Sequence, residues 1–350
     1  MIKKTLYIAS ALTFMACGSV KKTPEENAPL DQAAKYAASI TAKDLGQHLF
    51  IYASDEFEGR NTGEAGQKKA VEYLKSFYVS ENIISPLGGD DYFQEVPSDW
   101  LSENSRGNLK ASENVVAFIK GSEKPDEIVV ISAHLDHEGI KNGEIYNGAD
   151  DDGSGTVAIL EIAQAFQMAV KAGKGPKRSI LFLHVTGEEK GLLGSKYYTD
   201  VAPLFPLVNT VCDLNIDMIG RIDSRHKKDP NFVYLIGSDK LSTELHNISE
   251  AVNKKYMNIN LDYKYNDEND PNKFYYRSDH YNFAKNNVPI IFYFNGTHAD
   301  YHQPSDTPDK INYSLLENRT RLVFHTAWEV ANMEKRIVAD KAVVKEAPSK

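Results

Sequence analysis

Short runs rich in β-branched and apolar residues alternate with stretches of helical periodicity, and this alternation limits the chain more than any other feature. The runs are residues 114–119, 128–132, 179–184, 211–216, 232–236 and 289–294; helical spacing of three to four marks 66–78, 155–170, 240–256 and 313–335. Such alternation is the signature of an α/β architecture. The expected fold is therefore a single α/β domain: a mixed, mostly parallel twisted sheet flanked by helices. Chemistry-bearing residues come directly after the runs. After 128–132 comes His134-Leu135-Asp136, after 179–184 comes Gly187-Glu188-Glu189, the run ending at Ile216 delivers Asp217, and the loop after Phe294 carries His302. In open α/β sheets the carboxyl ends of the strands form the binding crevice. These groups, distant in sequence, are expected to converge.

Composition removes other classes. Of 350 residues 41% are hydrophobic and 25% charged, enough for a large core and ordinary for a soluble enzyme. Forty basic residues against 49 acidic ones give a formal charge of -9. No dense basic block is present, so a nucleic-acid groove has no electrostatic footprint.

The first residues read as an export signal: Lys3 and Lys4 precede an apolar run from Leu6 to Met15, which is too short to span a bilayer. Cys17 follows a small residue in Phe14-Met15-Ala16-Cys17-Gly18. This resembles the lipobox of bacterial lipoproteins, with Phe14 where Leu is usual, and implies a lipid anchor on Cys17 and a cell-envelope location, periplasmic or outer-membrane, with plain secretion as the alternative. The only other cysteine is Cys212, so disulfides do not hold the body together. The expected division is a signal at 1–17, a polar tether at 18–35, a catalytic domain at 36–336 and a charged tail at 337–350.

Two histidines and several carboxylates at one crevice suit Zn²⁺, which takes nitrogen and oxygen ligands and keeps a position for water in catalytic sites. Two ions would need a bridging carboxylate. Asp150-Asp151-Asp152 precedes Gly153-Ser154-Gly155 and a helix start, but spacing does not say which of the three enters the crevice. Each group alone has an ordinary reading: a Glu-Glu pair as a solvated helix start, an Asp as a cap, a His as a satisfied loop residue. His184 reads as core. His298, four residues before His302, mimics a helical zinc pair, but Asn295-Gly296 and Pro304 argue for a loop. Asp267 to Asp270 reads as an acidic surface loop, lacking the ordered spacing of a calcium site.

Taken in order, His134-x-Asp136, Asp-Asp-x-x-Ser-Gly, Glu188-Glu189, Asp217 and His302 resemble the co-catalytic dizinc aminopeptidases related to bacterial leucyl aminopeptidase, aminopeptidase Y and glutamate carboxypeptidase, over roughly residues 112 to 310. The resemblance implies the zinc-exopeptidase fold, peptide substrates and two Zn²⁺ per chain. It makes His134 and Asp217 ligands of one ion, Glu189 and His302 ligands of the other, and Asp151 the bridge. Asp136 would accept the second ring N–H of His134, Glu188 would be the general base toward the shared water, and Tyr301 would donate to the developing oxyanion. Ser278-Asp279-His280, with Tyr275, resembles a pocket-lining segment. Glu58-Gly59-Arg60-x-Thr62-Gly63 and Asp91-Tyr92-Phe93-Gln94 resemble the opening of the same family.

Rival functions share parts of this pattern. Related carboxypeptidases and deacylases insert a lid of about a hundred residues between later ligands, and Asp217 to His302 is too short for it. Glutaminyl cyclases share the fold with a single zinc, but Glu189-Lys-Gly-Leu-Leu-Gly194-Ser195 resembles the hydrolase segment. A metal-free binding module would have no need for the complete ligand set and base.

Overall fold

Near-continuous apolar runs belong in strands covered on both faces, and each of the expected runs falls in a strand. The protein is described by a computed structural model covering residues 31–342; the signal-like stretch, Cys17, nearly all of the polar tether and residues 343–350 lie outside the described residues. In chain order the strands are β1 (Phe93–Val96), β2 (Ser112–Ile119), β3 (Lys124–His134), β4 (Gly139–Lys141), β5 (Glu144–Tyr146), β6 (Arg178–Val185), β7 (Thr210–Ile216), β8 (Phe232–Ile236), β9 (Asn260–Asp262) and β10 (Ile290–Phe294). Eight of them form one sheet in the order β1-β2-β6-β3-β7-β10-β8-β9, and β4 pairs with β5 as a hairpin. The centre, β6-β3-β7-β10, is parallel throughout. Antiparallel β2 and β8 flank it, giving the mixed sheet the sequence implied.

Side chains of a strand alternate between faces, and the core divides accordingly. Val129 and Ile131 of β3, with Ile180 and Phe182 of β6, pack beneath the helices Ala42–Tyr52, Ala65–Glu81, Gly155–Lys171 and Tyr313–Asn332. Their neighbours Ile128, Val130, Leu181 and Leu183 face the opposite layer with Tyr198 and Phe283. This arrangement buries both faces of the parallel centre and leaves its strand ends open to loops. Among the described residues no helix is long and apolar enough to cross a membrane.

The edges of elements moved most. The helix expected at 240–256 starts at Thr243, where the Ser242 side chain accepts from Leu245 N, and continues beyond Val252 as a wider turn over Asn253–Met257. Short β1, β9 and the β4–β5 hairpin gave no apolar run to read. The packed body is also wider than 36–336. Gln32–Ala37 is a helix that buries Ala33, Tyr36 and Ala37. Ile337 is buried and Lys341 N donates to Leu241 O. Polar composition at both ends hid these few apolar anchors.

Candidate metal centre

The strand ends deliver the site. His134 is the last residue of β3, and its Nδ1 lies 3.0 Å from the main-chain carbonyl of Asp136. That contact uses the Nδ1 proton and leaves the Nε2 lone pair free to ligate a metal. Nε2 lies 3.1 Å from Asp151 Oδ1 and 3.7 Å from Asp217 Oδ1, just beyond β7. On the other side of the same carboxylate, His302 Nε2 lies 3.0 Å from Asp151 Oδ2 and 3.3 Å from Glu189 Oε1, which follows β6. The two oxygens of Asp151 thus face two separate imidazole–carboxylate pairs.

The structure separates the three consecutive aspartates by their partners. Asp152 accepts from the backbone N–H groups of His134, Gly155 and Met218. Asp150 accepts from Gly220 N and lies 3.1 Å from His298 Nε2. Only Asp151 turns into the crevice, on a loop with a cis Asp151–Asp152 peptide whose Asp150 and Asp151 N–H groups both donate to Asp306 Oδ2. His298 therefore supports the loop rather than the crevice, in keeping with its loop reading.

Other expected residues take different tasks. The Asp136 carboxylate lies 3.9 Å from His134 Nδ1 and instead accepts from Glu188 N, at 3.1 Å, and from the Thr62 hydroxyl, at 2.8 Å. The chain turns so tightly after β3 that the Asp136 carbonyl, not its side chain, meets the ring. Of the segment expected to line the pocket, Ser278 donates to Asp217 Oδ2, Asp279 accepts from Ser195, and His280 packs on Phe292 with Nε2 against Tyr275 O. These residues lie behind the crevice. Asp267 and Asp270 cap local turns by accepting from Asn269, Asn272 and Phe274 N–H groups, as a surface loop does.

Glu188, Tyr301 and His302 line a narrow cleft of about 30 Å³ whose apolar wall is Met218, Phe274, Phe292 and Phe294. Tyr301 stacks on the His302 ring at 3.9 Å, and its hydroxyl lies 3.4 Å from Arg277 Nη2. Met218 and His302 both hold positive φ, 59° and 54°. Strained backbone of this kind in non-glycine residues persists where surrounding structure fixes it, often at functional sites.

Four groups at the site were not read as part of it from the sequence. Arg60 is fully buried and donates to the carbonyls of Leu135, Tyr52, Asn147 and Gly148, tying the loop after β3 to the loop before Asp150. Asp306 holds the aspartate loop through the two N–H groups it accepts from. Glu138 lies 3.7 Å from His302 Nδ1. His137 Nδ1 lies 2.9 Å from Glu189 Oε1. His137 had a legible signal, being next to the His134-x-Asp136 motif, and Arg60 stood in the Glu58-Gly59-Arg60-x-Thr62-Gly63 segment without its task being readable; Asp306 and Glu138 depend on which loops meet.

The electrostatics call for added positive charge. Burial raises the Asp151 carboxyl, but the imidazoles of His134, His137 and His302 outweigh it and hold the group well below the usual carboxylate range. Glu189 is likewise desolvated and faces Asp151, yet His137 and His302 bring it down to about 2. Burial works against a charged His302, but Asp151 and Glu189 raise it to about 10. An imidazole that retains its proton as His302 does is answering an excess of carboxylate, and a divalent cation would displace that proton. Glu188 shows the opposite behaviour: burial, together with Glu189, Asp217 and Asp279, pushes it well above the usual range despite nearby His134.

The donor set fits zinc. Buried His134 Nε2, Asp151 Oδ2 and Glu189 Oε1 have no hydrogen-bond partner. The donor separations of 3.0 to 3.7 Å bracket the roughly 3.3 Å edge of a tetrahedron with metal–ligand bonds near 2.0–2.1 Å. Each imidazole–carboxylate pair plus one Asp151 oxygen supplies three protein ligands, the count of a catalytic zinc site.

A parallel-centred α/β sheet that presents two such ligand sets joined by one carboxylate defines the class of co-catalytic two-metal proteins. The chain belongs to peptidase family M28, whose family model matches residues 114–327. It is 25% identical over 302 residues to leupeptin-inactivating enzyme 1 of Streptomyces exfoliatus, covering 80% of this chain and 59% of that one. It is 26% identical over 324 residues to leucine aminopeptidase 2 of Trichophyton equinum, covering 79% and 60%. The chain thus spans about 60% of the length of these curated relatives. The crystal structure of Legionella pneumophila LapA aminopeptidase shares the fold, with a TM-score of 0.66 at 20% identity over 93% of this chain and 81% of that one.

Proposed function

We propose that this protein is a zinc aminopeptidase that removes residues from the N-terminus of peptides. The observation that carries the reading is Asp151 standing between two imidazole–carboxylate pairs, with Glu188 and an apolar cleft beside them. His134 and Asp217 would hold one Zn²⁺, Glu189 and His302 the other, with Asp151 shared. Zinc in such sites polarises a carbonyl and lowers the pKa of water toward neutrality.

The protein's own residues do the rest. The Glu188 carboxyl, held high by burial and by neighbouring carboxylates, takes a proton from the attacking water and passes it to the leaving amine. Its backbone N–H is tied to Asp136, which keeps the carboxyl at the crevice mouth. The Tyr301 hydroxyl donates toward the developing oxyanion, and Arg277 beside it limits its rotation. The cleft wall of Met218, Phe274, Phe292 and Phe294 favours an apolar side chain next to the cleaved bond. The surrounding carboxylates favour the free ammonium of a peptide N-terminus over a terminal carboxylate. Relatives named as leucine aminopeptidases support this direction of cleavage.

The test is mass spectrometry of an unbiased peptide mixture incubated with the purified protein, with and without a zinc chelator. Stepwise N-terminal loss that the chelator abolishes is expected. Ammonia loss from N-terminal Gln would install a cyclase instead, and C-terminal or internal cuts would overturn the exopeptidase direction.

We also propose that the protein is exported and anchored in the cell envelope through an acylated Cys17, on the strength of the Lys3-Lys4 and Leu6 to Met15 pattern before it. A peptide containing Cys17 from the exported protein should carry a lipid mass shift, and an unmodified Cys17 peptide would rule out the anchor.

A further inference from the structure

The ligand set carried by the resemblance leaves one donor unexplained. His137 is fully buried, and neither of its ring nitrogens has a hydrogen-bond partner. A buried imidazole whose Nε2 meets nothing and whose Nδ1 meets only a carboxylate, out of hydrogen-bond alignment, is costly unless something absent from the protein atoms completes it. Its Nδ1 lies 2.9 Å from Glu189 Oε1 and 3.8 Å from Asp151 Oδ2, and its ring sits 5.7 Å from that of His302. It thus faces the two carboxylates that His302 faces.

The ring is held in place from behind. Gly148, at φ +55°, packs its backbone on the ring so closely that an added Cβ would stand 2.5 Å from His137 Cγ and Cδ2. The His137 N–H is tied to Arg60 O. These contacts aim Nδ1 at the crevice. The separations of 2.9 and 3.8 Å straddle the edge of roughly 3.3 Å expected between ligands of one zinc ion.

We infer that His137 Nδ1 is a fourth protein ligand of the ion held by Glu189, His302 and Asp151, which makes the two metal positions unequal. This inference rests on the two-zinc reading of the site. The position built from His134, Asp217 and Asp151 has three protein ligands, and its neighbour has four. The four-ligand position keeps its ion longer, and the three-ligand position exchanges first.

Two measurements test this. In crystals of the zinc-loaded protein, anomalous scattering at the zinc edge should give two peaks that share Asp151, with His137 Nδ1 at about 2.0–2.2 Å from one of them. In solution, chelator competition should release zinc from the wild type in two stages. His137→Ala should merge them by weakening the tighter stage about 100-fold or more, beyond the 10–100-fold effect of losing an outer partner. Two peaks with His137 Nδ1 farther than about 2.7 Å from both, merely donating to Glu189, would overturn the fourth ligand and leave the two-zinc reading intact. A single peak, or none, would overturn both. The crystal measurement uses the unaltered protein, so it decides even if the variant misfolds.

Discussion

Replacing Arg60 with Met removes a guanidinium and keeps much of its apolar stem, so the cost should come from the carbonyls it serves. Four buried carbonyls accept from Arg60. Two retain another donor, Leu135 O from the Tyr52 hydroxyl and Gly148 O from Gly153 N. Tyr52 O and Asn147 O are the exposed losses. At about 1–3 kcal/mol for each buried group left unsatisfied, the variant should lose about 2–6 kcal/mol. That is a large share of the 5–15 kcal/mol typical of a whole domain. Because the same side chain ties residues 147 and 148 to Leu135, Arg60→Met should also loosen the two loops that deliver His134 and Asp151. Urea unfolding of the chelated protein measures the first effect, and zinc retention against a chelator measures the second. A loss below about 1 kcal/mol, with zinc retention unchanged, would show that the loops hold their positions without Arg60 and would refute the argument.

Three further outcomes are expected from the site and the core. Glu188→Gln should keep its zinc and lose about 10²- to 10⁴-fold in turnover, the usual worth of one positioned acid–base group; full activity would reject Glu188 as the base. Asp151→Asn should lower occupancy at both metal positions, measured as zinc per chain after dialysis, and unchanged stoichiometry would reject the bridge. His184 and His280 are buried, and desolvation lowers each to about 3. Both stay neutral in the folded protein while the unfolded chain protonates near 6.5. Their contribution is complete above about pH 6.5 and is lost as pH falls toward 3, with a slope up to about 1.4 kcal/mol per pH unit for each histidine. The acid slope of stability in His184→Gln should therefore be shallower than in wild type, and equal slopes would remove His184 from the account.

The part of this protein that was legible in sequence is the part governed by periodicity. Six mostly apolar runs became strands because a sheet covered on both faces demands mostly apolar residues, and their carboxyl ends point to His134, Glu189 and Asp217. Periodicity is silent about polar partners in loops. Which of three adjacent aspartates faces both imidazole–carboxylate pairs was decided by backbone N–H groups from remote segments: Gly155 and Met218 occupy Asp152, and Gly220 occupies Asp150. Arg60 and Asp306 work on carbonyls and amides far along the chain, contacts that leave no spacing to read. Asp136 was legible as a member of the site, but its task depended on a turn only a few residues long.

The scattering of the ligands over separate strand ends governs when the metal can enter. β3 lies between β6 and β7, and His302 follows β10, so the ligand set closes only after pairings between remote segments of the chain have formed. A chain still unfolded therefore lacks the preformed cage that the folded sheet provides for zinc. Metal acquisition therefore waits on folding, and the zinc supply available where folding finishes sets how much of the protein is loaded.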